Sequence, residues 1–401
     1  MSANAPNILL LTKIFSPPKT GGVPNYYKNL LQNLNKIKAV VITSGLKNVP
    51  HISNYSESKK KKYSIKRIDF FPEYMGLQLN FVWLISIIRM VQTIVKTVKT
   101  NRIDIIIVGQ VQMFLLLPAF IAGLFTRKPY VLFLHGEEIP QIPMKSNRIL
   151  KWLYLQSSGY FCNSDFTAER LKRFTKLNKI NPVIITPGVE DRFFEKPAKL
   201  KDVKNRLNMN GKKNIYTIAR LDKRKGHDMV IKALPLIIEK HPDVVYLIGG
   251  KGPGLRYLQE LMRNNALESH VRFLGFVQEN DLVVYHNAGD IFVMPNRILE
   301  DGDSEGFGIV FIEANAVGNP VIGGNEGGSV DAVVDGITGL LVDPKNKKDI
   351  AEKICCLLDD ERRRREMGRL GRERSLSRFR WPALSEKFET SVIDMWRNFR
   401  E

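Results

Sequence analysis

The chain of 401 residues is 44% hydrophobic and 25% charged, a balance that excludes collagenous, low-complexity and disordered classes, and its length predicts two domains of about 200 residues each. Three cysteines, Cys162, Cys355 and Cys356, offer neither an even disulfide set nor zinc-ligand spacing, so they are expected as small buried hydrophobes. The net charge of +20 is lopsided: residues 1–194 hold 27 Lys and Arg against 10 Asp and Glu, and the remainder 34 against 31, so the first half is expected to meet something anionic, nucleic acid or a membrane surface.

From the N-terminus, no basic segment precedes a long apolar one, so no secretory signal is expected. Apolar runs at 7–12, 39–43, 104–108, 130–134, 160–163 and 183–186 predict the strands of the first half. Between them, Lys59 to Lys62, Lys66 and Arg67 precede an amphipathic helix at 81–98 that carries Trp83, Arg89 and Lys96. Basic residues beside such a helix suit an anionic lipid surface. The longest apolar stretch, 111–125, is interrupted by Gln112, Pro118 and Gly123 and is shorter than the roughly 20 residues that span a bilayer. It reads as a buried helix, and the chain as cytoplasmic with a peripheral membrane contact.

The polar segment 188–210 marks a boundary, giving domains at 1–195 and 196–380. The second half repeats the pattern, with runs at 214–219, 244–249, 271–274, 290–294, 320–322 and 340–342. A last helix, about 381–401, is expected to pack back on the first domain. Near-continuous Ile, Val and Leu runs between helices imply parallel strands covered on both faces. The expected fold class is therefore α/β, two doubly wound parallel sheets facing across a cleft, with the site at the carboxyl ends of the strands.

Two motifs carry chemistry. In Glu305-Gly-Phe-Gly-Ile-Val-Phe-Ile-Glu313, two glycines precede an apolar helical run. The glycines allow close backbone approach, and the free N–H groups of the helix start face an anion. Eight helical residues rise about 12 Å, which would set the two carboxylates at opposite ends of a ligand rich in hydroxyls. Tyr216-Thr-Ile-Ala-Arg220-Leu-Asp-Lys-Arg-Lys225-Gly-His227 places cations directly after a strand. Arg220 offers a guanidinium fork and Lys225 a compact charge for a diphosphate, while Lys223 and Arg224 read as a solvated basic turn.

These motifs occur in order with Leu247-Ile-Gly-Gly-Lys-Gly-Pro-Gly254, Val271-Arg-Phe-Leu-Gly-Phe-Val277 and Gly327-Gly-Ser…Asp335-Gly-Ile-Thr-Gly. As a set they strongly resemble retaining glycosyltransferase family 4, of GT-B double-Rossmann fold. Asn296-Arg297…Glu305 and the following Gly-Phe-Gly look most like phosphatidylinositol mannosyltransferases. The resemblance implies that Arg220 and Lys225 neutralise the donor diphosphate, that Glu313 holds the ribose, and that Glu305 holds the transferred sugar. It implies that the backbone of Gly306, Phe307, Gly308 and Ile309 meets phosphates and sugar, and that the loop around Val277 receives the base. In the first domain it assigns Gly21 and Gly22 to a loop near the diphosphate and His135 to the donor sugar.

Three other patterns are set aside. Gly250-Lys-Gly-Pro-Gly254 lacks the spacing and following acid of a dinucleotide fingerprint. The basic half lacks a recognition-helix or RNP signature, so nucleic acid is not the expected partner. Asp301-Gly-Asp303 resembles a metal-binding pair, yet the Arg and Lys of the turn already supply positive charge, so no metal or other cofactor is expected. The expected partners are a nucleotide-sugar donor, GDP-mannose ahead of UDP-sugars, and a glycan or lipid-linked acceptor. A sugar-nucleotide-binding protein without catalysis is the alternative.

Overall fold

The computed structural model describes residues 5–17, 21–45, 62–69, 81–139, 147–176, 180–207, 209 and 211–401. Lys59, Lys60 and Lys61 of the basic run lie outside the described residues. The chain divides into two compact units, Met1–Thr186 with Trp381–Glu401, and Pro187–Arg380.

Among the described residues the first unit contains β1 (Asn7–Leu11), β2 (Lys38–Ser44), β3 (Tyr63–Ile68), β4 (Ile105–Val108), β5 (Tyr130–Leu134), β6 (Tyr160–Cys162) and β7 (Val183–Ile184). They form one parallel sheet in the order β3-β2-β1-β4-β5-β6-β7. The second contains β8 (Lys213–Ile218), β9 (Val244–Gly249), β10 (Val271–Gly275), β11 (Ile291–Met294), β12 (Val321–Gly324) and β13 (Gly339–Val342), ordered β10-β9-β8-β11-β12-β13 and also parallel. The winding is the same in both: the order reverses beside the first strand, between β1 and β4 and between β8 and β11. At such a switch point the loops that leave neighbouring strands diverge and open a crevice.

Buried residues on both faces explain why the apolar runs located these strands. β4, β5, β9 and β11 are buried along their whole length. The exception is β3, absent from the sequence reading. Tyr63-Ser-Ile-Lys-Arg-Ile alternates because an edge strand keeps one side in water, and a polar-interrupted run does not announce itself.

The unit boundary lies nine residues before the expected 195/196. The Val189 N–H donates to the Phe379 carbonyl at 2.6 Å, and Phe193 is buried in the second core, so 187–195 are part of that unit. Helix Trp381–Arg400 belongs to the first. Trp381, Leu384, Phe388 and Val392 join the core beneath β1 and β4, and Trp381 meets Tyr26 edge-on at 5.3 Å. Glu389, fully buried, accepts from the backbone N–H groups of Asn35, Lys36 and Ile37 at 2.8, 2.5 and 2.8 Å. One carboxylate oxygen thereby satisfies three donors of the turn that enters β2, which fixes where this helix docks.

Helix Phe81–Thr100 buries Ile87, Met90, Ile94, Thr97 and Val98 and packs on helix Met113–Thr126. By length and composition it is the one helix among the described residues that meets the criterion for crossing a membrane, with a mean hydropathy of 1.6. The stretch expected as a buried helix is buried only in part, because Leu124 and Phe125 at its end are exposed.

Candidate functional site

The second unit gathers its chemistry at the β8/β11 switch point. Arg220 stands two residues past β8, and its exposed side chain is steadied by Asp222 at 3.1 Å. The Arg220 carbonyl accepts from His227 Nε2 at 3.1 Å, while His227 Nδ1 lies 3.3 Å from the Tyr246 hydroxyl. Burial holds His227 neutral, with its pKa lowered to about 4. His227, given no role from sequence, therefore anchors the turn that carries Arg220.

A one-turn 3-10 helix at Lys223–Lys225 follows, capped by Gly226 at φ 77°. Lys223 is exposed as expected, but Arg224 is not a solvated turn residue. Its Nη1 donates to Glu305 Oε2 at 2.9 Å and its Nε to Asp303 Oδ2 at 3.1 Å. Lys225 Nζ donates to the same Glu305 oxygen. Burial by itself would raise the Glu305 carboxyl, but Lys225 and Arg224 outweigh it and hold the group below its ordinary range.

The loop after β11 closes the cluster. The Arg297 N–H donates to the Arg224 carbonyl at 2.9 Å, and buried Arg297 grips Asp228 at 3.0 and 3.1 Å. Asn296, fully buried, donates to the Glu326 carbonyl at 2.8 Å and to Ser329 Oγ at 3.0 Å. Asp303 N–H caps Asp301 Oδ1 at 3.0 Å. Asp301-Gly-Asp303 is thus a loop brace with one carboxylate spent on Arg224. Among the described residues no three His, Cys, Asp or Glu side chains are grouped to hold a metal ion.

The glycine-led helix is Ile309–Ala316, capped by Gly308 at φ 89°, so Glu313 lies on the helix and Glu305 four residues ahead of it. The expected 12 Å helical rise between the carboxylates does not apply, because Gly306 to Gly308 form a turn that aims the N–H groups of the helix start. Phe307 is buried against Phe379. Gly328 presses on this turn: its N–H donates to the Glu305 carbonyl at 2.7 Å, and a Cβ there would lie 2.1 Å from the Gly306 oxygen.

Glu313 sits among Glu190, Arg192 and Glu279. Burial first, then Glu190 and Glu279, lift its carboxyl to about 8 against the opposing pull of Arg192. Val277 is in the core under Gly249, where a Cβ would lie 2.9 Å from its Cγ2, so only its backbone is available to a ligand. Next to it, exposed Phe276 packs against Lys251 at 5.1 Å, a cation and an aromatic face that sequence did not single out.

Gly21, Gly22 and His135 belong to the first unit. Gly21, at φ 142°, caps helix Gly22–Gln32, and Gly22 is exposed with no atom within 4 Å of a would-be Cβ. His135 follows β5 and is buried. Its Nε2 lies 2.7 Å from the Tyr27 hydroxyl, which donates to the Gly109 carbonyl, so the ring nitrogen is the donor to tyrosine. Burial keeps the imidazole neutral, with its pKa lowered to about 3. The His135 N–H donates to Glu138 Oε2 at 2.9 Å, and burial together with Glu137 raises the Glu138 carboxyl to about 8.

Residues 20–193 match the family described as Glycosyltransferase Family 4, and residues 199–374 match Glycosyl transferases group 1. The two matches cover most of the chain, which belongs to this glycosyltransferase family and has its fold of two Rossmann-like units, GT-B. Among curated proteins, it is 38% identical over 205 residues to a GDP-mannose-dependent alpha-(1-6)-phosphatidylinositol monomannoside mannosyltransferase of Mycobacterium tuberculosis, which is 51% of this chain and 53% of that protein. The chain thus spans about half the length of that relative. An uncharacterized glycosyltransferase of Methanocaldococcus jannaschii is 25% identical over 93% of this chain and 95% of its own. Anabaena HepE, solved with UDP and glucose, superimposes with a TM-score of 0.77 over 97% of this chain and 100% of its own, at 19% identity.

Proposed function

We propose that the chain is a retaining, metal-independent glycosyltransferase that moves a hexose from a nucleotide sugar to a hydroxyl of a glycan or lipid-linked acceptor. The observation that carries this is the Lys225–Glu305 contact at the switch point, beside the open start of helix Ile309–Ala316. It joins a cation suited to a diphosphate with a carboxylate suited to sugar hydroxyls, next to backbone N–H groups that face an anion. Glu313, further along the same helix, accepts from the ribose, and the backbone around Val277 receives the base. By the family resemblance, Gly21, Gly22 and His135 of the first unit are assigned to the donor, a role that rests on the resemblance and not on any contact with the second unit.

In the reaction the bond from the anomeric carbon to the diphosphate breaks, and its electron pair stays on the leaving phosphate oxygen. Arg220, Lys225 and the helix start stabilise that charge, the role a metal plays in other transferases. The acceptor oxygen attacks from the same face, and its proton passes to the leaving phosphate. Mannose from GDP-mannose is favoured by the activity named for the mycobacterial relative, and a UDP-sugar is the alternative donor.

A lipid-linked acceptor fits the first unit. Phe81 and Phe125 are 77% and 74% exposed, with Leu84, Ile88, Leu124, Ile149 and Trp152 also exposed. They lie on three helices packed in sequence, Phe81–Thr100, Met113–Thr126 and Asn147–Leu155. Arg89, Lys96, Lys99 and Arg148 are exposed on the same helices, and exposed Arg127 caps the end of the second. Apolar side chains among cations suit the interface of an anionic bilayer, and this accounts for the basic excess.

The test is release of nucleoside diphosphate from GDP-mannose and from UDP-glucose, with and without acceptor lipid extract. One donor is expected to turn over, unaffected by EDTA, with Lys225→Ala and Glu313→Ala each reducing transfer at least a hundredfold while staying folded. Binding without any turnover favours the non-catalytic alternative. Loss of activity in EDTA with recovery in manganese overturns the metal-independent reading.

A further inference from the structure

The two cations that meet on Glu305 Oε2 are held differently. Arg224 is tied into the opposite loop three times, by Nη1 on Glu305, by Nε on Asp303, and by its carbonyl on the Arg297 N–H. Arg297 is itself clamped on Asp228 at 3.0 Å, which anchors the loop after β11 that holds Arg224. Lys225 brings a compact charge on a flexible stem and has no second ion pair among the described residues. In this cluster two cations balance two carboxylates, and an arriving diphosphate adds negative charge that, within the cluster, the more loosely held cation is placed to answer alongside Arg220 and the helix start.

We propose that Arg224 is the fixed counter-ion that orients Glu305 toward the transferred sugar, whereas Lys225 is the exchangeable one that leaves Glu305 for the donor diphosphate. This deepens the donor-site reading and rests on it. If both cations left Glu305 together, a largely buried carboxylate would stand unpaired, which is costly. The planar fork of Arg224 holds one edge on Asp303 and one on Glu305, so the carboxylate keeps its direction while Lys225 moves. Arg224 is in this account a positioning residue that acts through Glu305 and does not touch the phosphates.

Titration calorimetry of the full chain with GDP, GDP-mannose, UDP and UDP-glucose tests this. Arg224→Ala is expected to bind the nucleoside diphosphate within threefold of wild type and the matching sugar nucleotide at least tenfold more weakly. Arg224→Lys, which keeps the charge without the fork, should fall between Arg224→Ala and wild type for the sugar nucleotide. Should Arg224→Ala not fold, Asp303→Asn, at a more exposed position, loosens the same fork and is expected to show a roughly threefold loss for the sugar nucleotide alone. Equal weakening of both ligands, or no change in either, overturns the proposal. A wild-type protein that binds none of the four overturns the donor-site reading and the proposal with it.

Discussion

Replacing Glu305 by Gln removes one charge from a cluster that balances two cations against two carboxylates, without altering its shape. Glu305, Lys225 and Arg224 side chains are only 13%, 12% and 16% exposed. Breaking a buried pair from one side typically costs about 3–5 kcal/mol. Here the amide oxygen still accepts one hydrogen bond and Asp303 still neutralises Arg224, so about 2–3 kcal/mol is expected at pH 7. For a unit of this size that lowers the melting temperature by roughly 5–10 °C. The pH dependence has a definite sign. Glu305 is held below the ordinary value of 4.5, so its pairing adds stability above that value, and the addition is lost as the folded group is protonated. The gap between wild type and Glu305→Gln should therefore be full at neutral pH and close progressively below 4.5. Denaturant or thermal unfolding from pH 7 down to pH 4 measures it. Because Lys225 no longer shares a carboxylate, the variant should bind a nucleoside diphosphate at least as well as wild type while losing transfer. A loss below about 0.5 kcal/mol, or a gap that widens in acid, would refute the reasoning.

Glu313→Gln should behave in the opposite sense. A carboxyl lifted to about 8 loses stability as pH rises from 4.5 toward that value, so the variant should match wild type near pH 5 and exceed it near pH 9 in thermal unfolding. Gly22→Ala meets no protein atom and opens a helix, so it should leave stability unchanged or raise it by up to about 1 kcal/mol. A fall in turnover of tenfold or more in that stable variant would locate the close approach on the ligand. Gly328→Ala, by contrast, drives a Cβ into the Gly306 backbone and should destabilise by about 2–4 kcal/mol and abolish donor binding, as unfolding and calorimetry would show. Phe81→Asp with Phe125→Asp should cut co-flotation with anionic vesicles several-fold without changing donor hydrolysis in solution; unchanged flotation would count against the lipid surface.

What the sequence determined by itself was the architecture and the residue types of the donor handle. Strands buried on both faces must be written in continuous apolar residues, so twelve of the strands described showed themselves, and the residues just past β8 and β11 could be placed at strand ends. Edge strand β3 was hidden because its outer side is wet, and the helical rise assumed between Glu305 and Glu313 failed because Gly308 starts the helix only at Ile309. Tertiary structure alone decided which charges meet. Arg224 and Asp303 are 79 residues apart; in the chain Arg224 looks like part of a solvated turn, Asp303 like half of a metal-binding pair, and His227 shows no role. Their roles come from the parallel order that sets β8 next to β11, since that pairing brings the two loops together and buries what would otherwise be surface charge. A local pattern reports periodicity along one element, and the partner of a charge is chosen by the neighbouring one.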